Sequence, residues 1–336
     1  MKDPVLKRLL ALLQYVAYER QPDAALFENM SGADWEAVFK RAVRERLTAV
    51  AFDGLSGLPQ NLFPQRNLLL RWAAGADAVE QKSRKMLKVE GEVKKILSEN
   101  SLPMLVIKGS TIAAFYKNPE HREYSDIDIY TADIERSTHL LTEAGAKEEY
   151  RSFVHSAMSF RGATVENHSH FVSAWLTDGR ALIDNRLREI AFDENRRADF
   201  ILLHYLAHAI AHFASGWQLR FFYDWAVLLH SLRGQWNKQD FEDIIERADF
   251  RKMADVFNSI STDYMKIPAD EIPAFARDEK LIAFALRDME KPINVGLSRA
   301  FNRFQKFWMQ GTPGLFWKKG WHYFKHSVLK IKISDN

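Results

Sequence analysis

The helical period that runs through the first hundred residues breaks at Asn100, and that break limits what the chain can fold into. Leu102-Pro103-Met104-Leu105-Val106-Ile107 is a short apolar run closed by Lys108-Gly109-Ser110, the pattern of a buried strand ending in a glycine turn. Thr111–Tyr116 reads as a helix opening from that turn, and Asn118-Pro119 breaks it. Ser125–Tyr130 alternates polar and apolar residues, as a half-buried strand does. Ile134–Ala144 reads as helix and stops at Gly145. Ser156–Phe160 and Thr164–Phe171 alternate again around Arg161-Gly162-Ala163, which predicts a hairpin.

The flanks keep helical spacing. Val5–Ala17 carries Leu6, Leu9, Leu10, Leu13 and Val16. A helix start stands at Ser31, and Gly54–Asn67 reads as a loop. A long polar helix is expected over Leu68–Glu99, with Val79, Met86, Val89, Val93 and Ile96 as its buried stripe. Phe200–Phe213 and Leu219–Leu232 read as two further helices. The expected fold is α+β: a small mixed sheet between helical regions. Residues 1–99 form the N-terminal helical region, 100–195 an α/β core, and 196–336 a C-terminal helical region with a basic aromatic tail.

Composition excludes several chemistries. The 336 residues include no Cys, which removes disulfides, thiolate zinc sites, iron–sulfur clusters and cysteine nucleophiles. The N-terminal stretch has no long apolar segment and no small-residue cleavage site, so a cytoplasmic location is expected. Charge is uneven. From Lys291 onward there are nine Lys or Arg against one acid, Asp335, a net of +8, while the rest of the chain, with 38 basic and 43 acidic residues, sums to −5. Nine aromatics interleave with those basic residues, Trp308, Trp317 and Trp321 among them. The tail reads first as a packed amphipathic helix with snorkelling lysines. A membrane-peripheral or protein-contacting role comes next, and a nucleic-acid surface last.

Asp126 and Asp128 are two apart on an expected strand, so both carboxylates share one face. Two like charges about 6–7 Å apart repel unless a cation lies between or beside them, and a hard divalent cation fits oxygen ligands. A bare Asp-x-Asp is more often a pair of solvated acids. The upstream turn changes that balance. A strand–Gly–helix turn presents backbone N–H groups to anions, Gly109 allows close approach, and Ser110 adds a hydroxyl.

Together, Lys108-Gly109-Ser110 and Ser125-Asp126-Ile127-Asp128 resemble the DNA-polymerase-β-like nucleotidyltransferase superfamily. More closely, the chain is similar to the bacterial uncharacterised nucleotidyltransferase family. The likeness runs through Arg122, Val165-Glu166-Asn167-His168, the helical stretch carrying His204, His208 and His212, and Tyr223-Asp224-Trp225. It covers roughly residues 85–235. It departs at Asn167, where the family has an apolar residue, and at Ser169, where the family has Trp.

The resemblance implies metal-assisted transfer of a nucleoside monophosphate from an NTP, taken as ATP, to an unidentified hydroxyl acceptor: a small molecule, a sugar or a protein. Asp126, Asp128 and Glu166 would hold two Mg²⁺ ions, with Asp184 the rival third carboxylate. Gly109 and Ser110 would hold the terminal phosphates, and Lys108 or Arg122 would offset pyrophosphate charge. His168, His204, His208, His212 and Asp224 are expected to line the substrate site. His204, His208 and His212 invite a zinc reading, but no Glu follows His204, and three His in line along one helix diverge from a single tetrahedral point. The alternative is a catalytically inactive nucleotidyltransferase-fold binding protein or an antitoxin-like partner module. That alternative gains if neither Glu166 nor Asp184 comes within about 5 Å of the Asp-x-Asp carboxylates.

Overall fold

A computed structural model describes residues 3–152, 155–172, 178–213 and 216–290. In chain order the helices and strands are α1 (Pro4–Tyr18), α2 (Gly32–Arg44), α3 (Thr48–Gly54), α4 (Arg66–Glu99), β1 (Met104–Val106), α5 (Ser110–Ala113), β2 (Asp126–Thr131), α6 (Ile134–Glu143), β3 (Lys147–Arg151), β4 (His155–Phe160), β5 (Ala163–His168), α7 (Asp178–Ile190), α8 (Arg197–His212), α9 (Leu219–Ser231), α10 (Lys238–Arg247), α11 (Arg251–Met265) and α12 (Glu279–Glu290). The basic aromatic tail lies outside the described residues. Among those residues, no helix is long and apolar enough to cross a membrane.

The expected α+β architecture is present: one five-stranded mixed sheet, ordered β1-β2-β5-β4-β3, flanked by helices. Only β2 and β5 run parallel; the other pairs are antiparallel. One face of the central strands, with Ile127, Ile129 and Val165, buries against Met86, Val89, Val93 and Leu97 of α4 and Leu141 of α6. The α4 stripe is thus as expected at Met86, Val89 and Val93. Val79 and Ile96 are only half-buried, and Leu97 takes the place expected for Ile96.

The first half of α4 belongs to a different core. Leu68 and Trp72 pack with α1, α2 and the C-terminal helices, and the Trp72 indole donates to the Thr48 carbonyl at 2.8 Å. N- and C-terminal helices share this core directly. Gln14 donates to the Tyr264 carbonyl and Tyr18 to that of Ala226, more than 200 residues away. One 34-residue helix therefore ties the sheet to a helical body drawn from both ends of the chain.

Asn167, the departure from an apolar family position, is fully buried. Its amide donates to Ser137 Oγ at 2.6 Å and Thr138 Oγ1 at 3.2 Å, and its carbonyl accepts from Thr131 Oγ1 at 3.1 Å. A buried amide is tolerated when its partners are present, and α6 supplies two of them.

Candidate active site

Strand pairing assembles the acids. The parallel register of β2 and β5 sets Asp128 opposite Glu166 and Tyr130 opposite His168. Alternation turns Asp126, Asp128, Glu166 and His168 to one face and the isoleucines to the other. One oxygen of Asp128, one of Glu166 and a ring nitrogen of His168 lie within 4.8 Å of one another. Among the described residues this is the one such convergence of metal-ligating side chains. Two carboxylates and an imidazole, with Asp126 two residues along the strand, make a donor set that fits a divalent cation.

His168 holds the two acids in place. Its Nε2 reaches Asp128 Oδ1 at 3.0 Å and Glu166 Oε2 at 3.4 Å. Lys108 Nζ meets the same Asp128 oxygen at 2.6 Å. Burial works against charge on Asp128, but the Lys108 ammonium and the His168 hydrogen bond prevail and hold its carboxyl well below the usual range. Burial likewise opposes charge on His168, and its bonds to Asp128 and Glu166 outweigh that and raise its pKa. The His168 hydrogen bond lowers Glu166. Asp126 goes the other way: burial and the neighbouring Asp128 charge push it up. Three acids face one lysine and one histidine, so ionising all three leaves a surplus of negative charge.

The glycine turn has the geometry expected of it. Gly109 adopts φ +52°, which favours glycine, and a Cβ there would also crowd the Tyr124 ring at 3.2 Å. The helix that follows is shorter than expected, a single turn over Ser110–Ala113 instead of a run to Tyr116. The Ser110 hydroxyl donates to the Glu90 carboxylate of α4, 2.7–2.8 Å from its oxygens. Burial raises the Glu90 pKa and the Ser110 bond partly offsets it. Sequence reading missed Glu90. Its signal was an acid four residues after Met86 and three before Val93, on the face the helix buries.

Other expectations are redistributed. Asp184, the rival third carboxylate, lies in α7, a helix for which the sequence reading gave no element. One of its oxygens accepts from the Phe171 and Val172 amides at 2.7 and 3.1 Å, and the other takes Arg188 Nε at 2.7 Å. It is a loop anchor, and Glu166 is the acid that stands with Asp128. Arg122, expected on the phosphates, is buried instead. Its Nε and Nη2 donate to Asp224 at 3.0 and 2.8 Å and its Nη1 to the Gly109 carbonyl at 3.2 Å. Tyr116 and Tyr205 hydroxyls complete the Asp224 shell. Arg122 and Asp224 thus brace the glycine turn from behind.

His204 is buried and stacks on Phe200, with ring centroids 5.8 Å apart and planes 9° from parallel. Burial, with the Lys108 charge added, pushes its pKa down to about 3. His208 is driven well below its ordinary value by the same causes. The ring centroids of His204, His208 and His212 step along α8 at 6.3 and 4.4 Å, and they join no metal-ligating group among the described residues. Neutral imidazoles at 204 and 208 therefore stand near the lysine side of the site. Arg220 approaches as well: its Nη1 donates to the Glu123 carbonyl at 2.7 Å, and its charge favours ionised Asp126.

Comparison with curated proteins and with solved structures gives no match. The family model described as "Uncharacterised nucleotidyltransferase" matches residues 31–260, which takes in the sheet, the glycine turn, all three acids and helices α8 and α9. Nucleotidyl transfer from a nucleoside triphosphate is the general chemistry this assignment carries. The chain belongs to the uncharacterised nucleotidyltransferase family.

Proposed function

We propose that the chain transfers a nucleoside monophosphate from an NTP, ATP in the first instance, to a hydroxyl acceptor, with Mg²⁺ held by Asp126, Asp128 and Glu166. The observation that carries this reading is the parallel register that brings Glu166 opposite Asp128. When bound there, magnesium would neutralise triphosphate charge and ease deprotonation of the acceptor hydroxyl. The chain's own groups do the rest. His168 fixes the orientation of two of the acids. Gly109 and Ser110 offer backbone N–H groups and a hydroxyl to the terminal phosphates, and Ser110 exchanges its Glu90 partner for phosphate. Lys108 exchanges Asp128 for the leaving pyrophosphate. The acceptor oxygen bonds to the α-phosphorus as the bond to pyrophosphate breaks. Positioning and charge neutralisation carry most of the barrier reduction.

One observation favours the inactive-binder alternative. Lys108 on Asp128 and Ser110 on Glu90 give both halves of the site partners without a ligand. One experiment separates the readings. The protein is incubated with Mg²⁺, each of four α-labelled NTPs and a cell extract as acceptor source, beside D126A/D128A. Label transfer by the wild type alone supports the enzyme. Transfer that survives the double substitution removes this site from the reaction.

A further inference from the structure

Arg122, expected on the phosphates, is taken up by Asp224 and the Gly109 carbonyl. Arg220, the second residue of α9, is in the opposite situation. It is half-buried, and its Nη1 donates to the Glu123 carbonyl at 2.7 Å, three residues before Asp126. Its Nε is buried and has no hydrogen-bond partner among the described residues. The acids packed around it are engaged elsewhere. Asp224, one turn further along α9, has both oxygens filled by Arg122 and two tyrosine hydroxyls. The Glu123 carboxylate accepts from the Thr48 amide at 3.1 Å. Glu45 divides its oxygens between the Leu219 amide and the guanidinium groups of Arg41 and Arg44. A half-buried guanidinium with unused donors and no counter-ion is retained where an anionic ligand supplies one. Arg220 also borders the same space as Lys108, since the charges of both bear on Asp126 and on His208. Its guanidinium lies over the Phe221 ring, 5.8 Å from the centroid. A carbonyl bond and a ring face thus hold the planar fork in place without neutralising it.

We infer that Arg220 binds the β- and γ-phosphates of the nucleotide together with Lys108, the part that the sequence assigns to Arg122. The assignment rests on the transfer reaction proposed above for what the polyphosphate belongs to, but the binding it requires is measurable without turnover. Three probes are titrated with Mg²⁺ at constant ionic strength: α,β-methylene ATP, inorganic triphosphate and AMP. The proteins are wild type, R220Q, R220K and D126N/D128N, and the readout is affinity by calorimetry or by competition with a fluorescent ATP analogue. R220Q is expected to bind the ATP analogue and inorganic triphosphate roughly tenfold or more weakly than wild type, and AMP equally. R220K is expected to fall between them, because it keeps the charge and loses the fork. It carries the same comparison if R220Q does not fold. Equal affinity of wild type and R220Q for both polyphosphates overturns the assignment; if D126N/D128N alone then loses the ATP analogue, the transfer site stands without Arg220. A loss of AMP by the same factor as the polyphosphates overturns it too, because Arg220 then acts through the fold and not on the terminal phosphates. An absence of polyphosphate binding by the wild type overturns both readings. If R220Q loses inorganic triphosphate while no NTP label is ever transferred, the Arg220 phosphate site stands and the transfer reading fails.

Discussion

Asp224 and Asp128 are both buried acids, and each has a cation in close contact: Arg122 at 2.8 Å for one and Lys108 at 2.6 Å for the other. Their surroundings differ in balance. Asp224 is a single anion met by a two-pronged guanidinium and two tyrosine hydroxyls, so both of its oxygens are filled by groups of this chain. Asp128 shares its space with Glu166 and Asp126 against one lysine and one histidine. A closed, neutral cluster is what a joint between layers needs. A cluster left with surplus charge costs stability and is retained where a ligand supplies the missing charge. Family resemblance suggested the same broad role, substrate contact, for Arg122, Asp224 and His168. Packing separates them: Arg122 and Asp224 pair with each other behind the glycine turn, and His168 stands against Asp128 and Glu166.

The largest effect should come from breaking the brace. D224A leaves the Arg122 charge buried without its partner and should lower unfolding free energy by about 3–5 kcal/mol in urea titrations. The double variant R122M/D224L should be less destabilised than either single change, since no orphan charge remains. A double variant worse than both singles would make the pair a net stabiliser and blur the contrast.

On the reactive face, D128N should lower transfer by roughly 10²–10³-fold or more. D126N sharpens the comparison. Burial and the Asp128 charge already disfavour its ionised form, so the neutral amide should leave thermal stability in metal-free buffer unchanged or higher while transfer is lost. A D126N variant as unstable as D224A would mean that the two clusters are alike.

The smallest expected effect lies at His121, which bridges Asp53 at 2.6 Å and Glu80 at 2.8 Å. Burial opposes its charge, but the two carboxylate bonds prevail and raise its pKa. A raised folded-state pKa gives stabilisation that is complete below the unfolded value near about 6.5 and is lost as pH rises through the folded value. The thermal midpoint of H121Q should therefore trail the wild type more at acidic than at alkaline pH.

Much of this arrangement was legible in the residues. Period-two spacing put Asp126 and Asp128 on one face, and Gly109 marked a turn that its positive φ confirms. The sequence carried weaker signals elsewhere. Strand β3, Lys-Glu-Glu-Tyr-Arg, is exposed throughout. It shows no alternation because a charged edge strand protects the sheet from pairing with other chains. Asp184, after the apolar run Ala181-Leu182-Ile183, stood as a rival third carboxylate because its partners, the Phe171 and Val172 amides, lie more than ten residues away and cannot be read from its neighbourhood. The partners of Arg122 were hidden for a different reason. Asp224 is 102 residues away, and neither residue's own neighbourhood names the other.

The central claim is that the Asp126–Asp128–Glu166 face holds a divalent ion together with a nucleoside triphosphate. Electron paramagnetic resonance of Mn²⁺, used in place of Mg²⁺ and titrated into the protein with a non-hydrolysable ATP analogue, tests it directly. The account predicts saturable, nucleotide-dependent loss of the free Mn²⁺ signal with the wild type and none with D126N/D128N or E166Q. An equal loss of signal with wild type and variants, or no nucleotide-dependent binding at all, would contradict it.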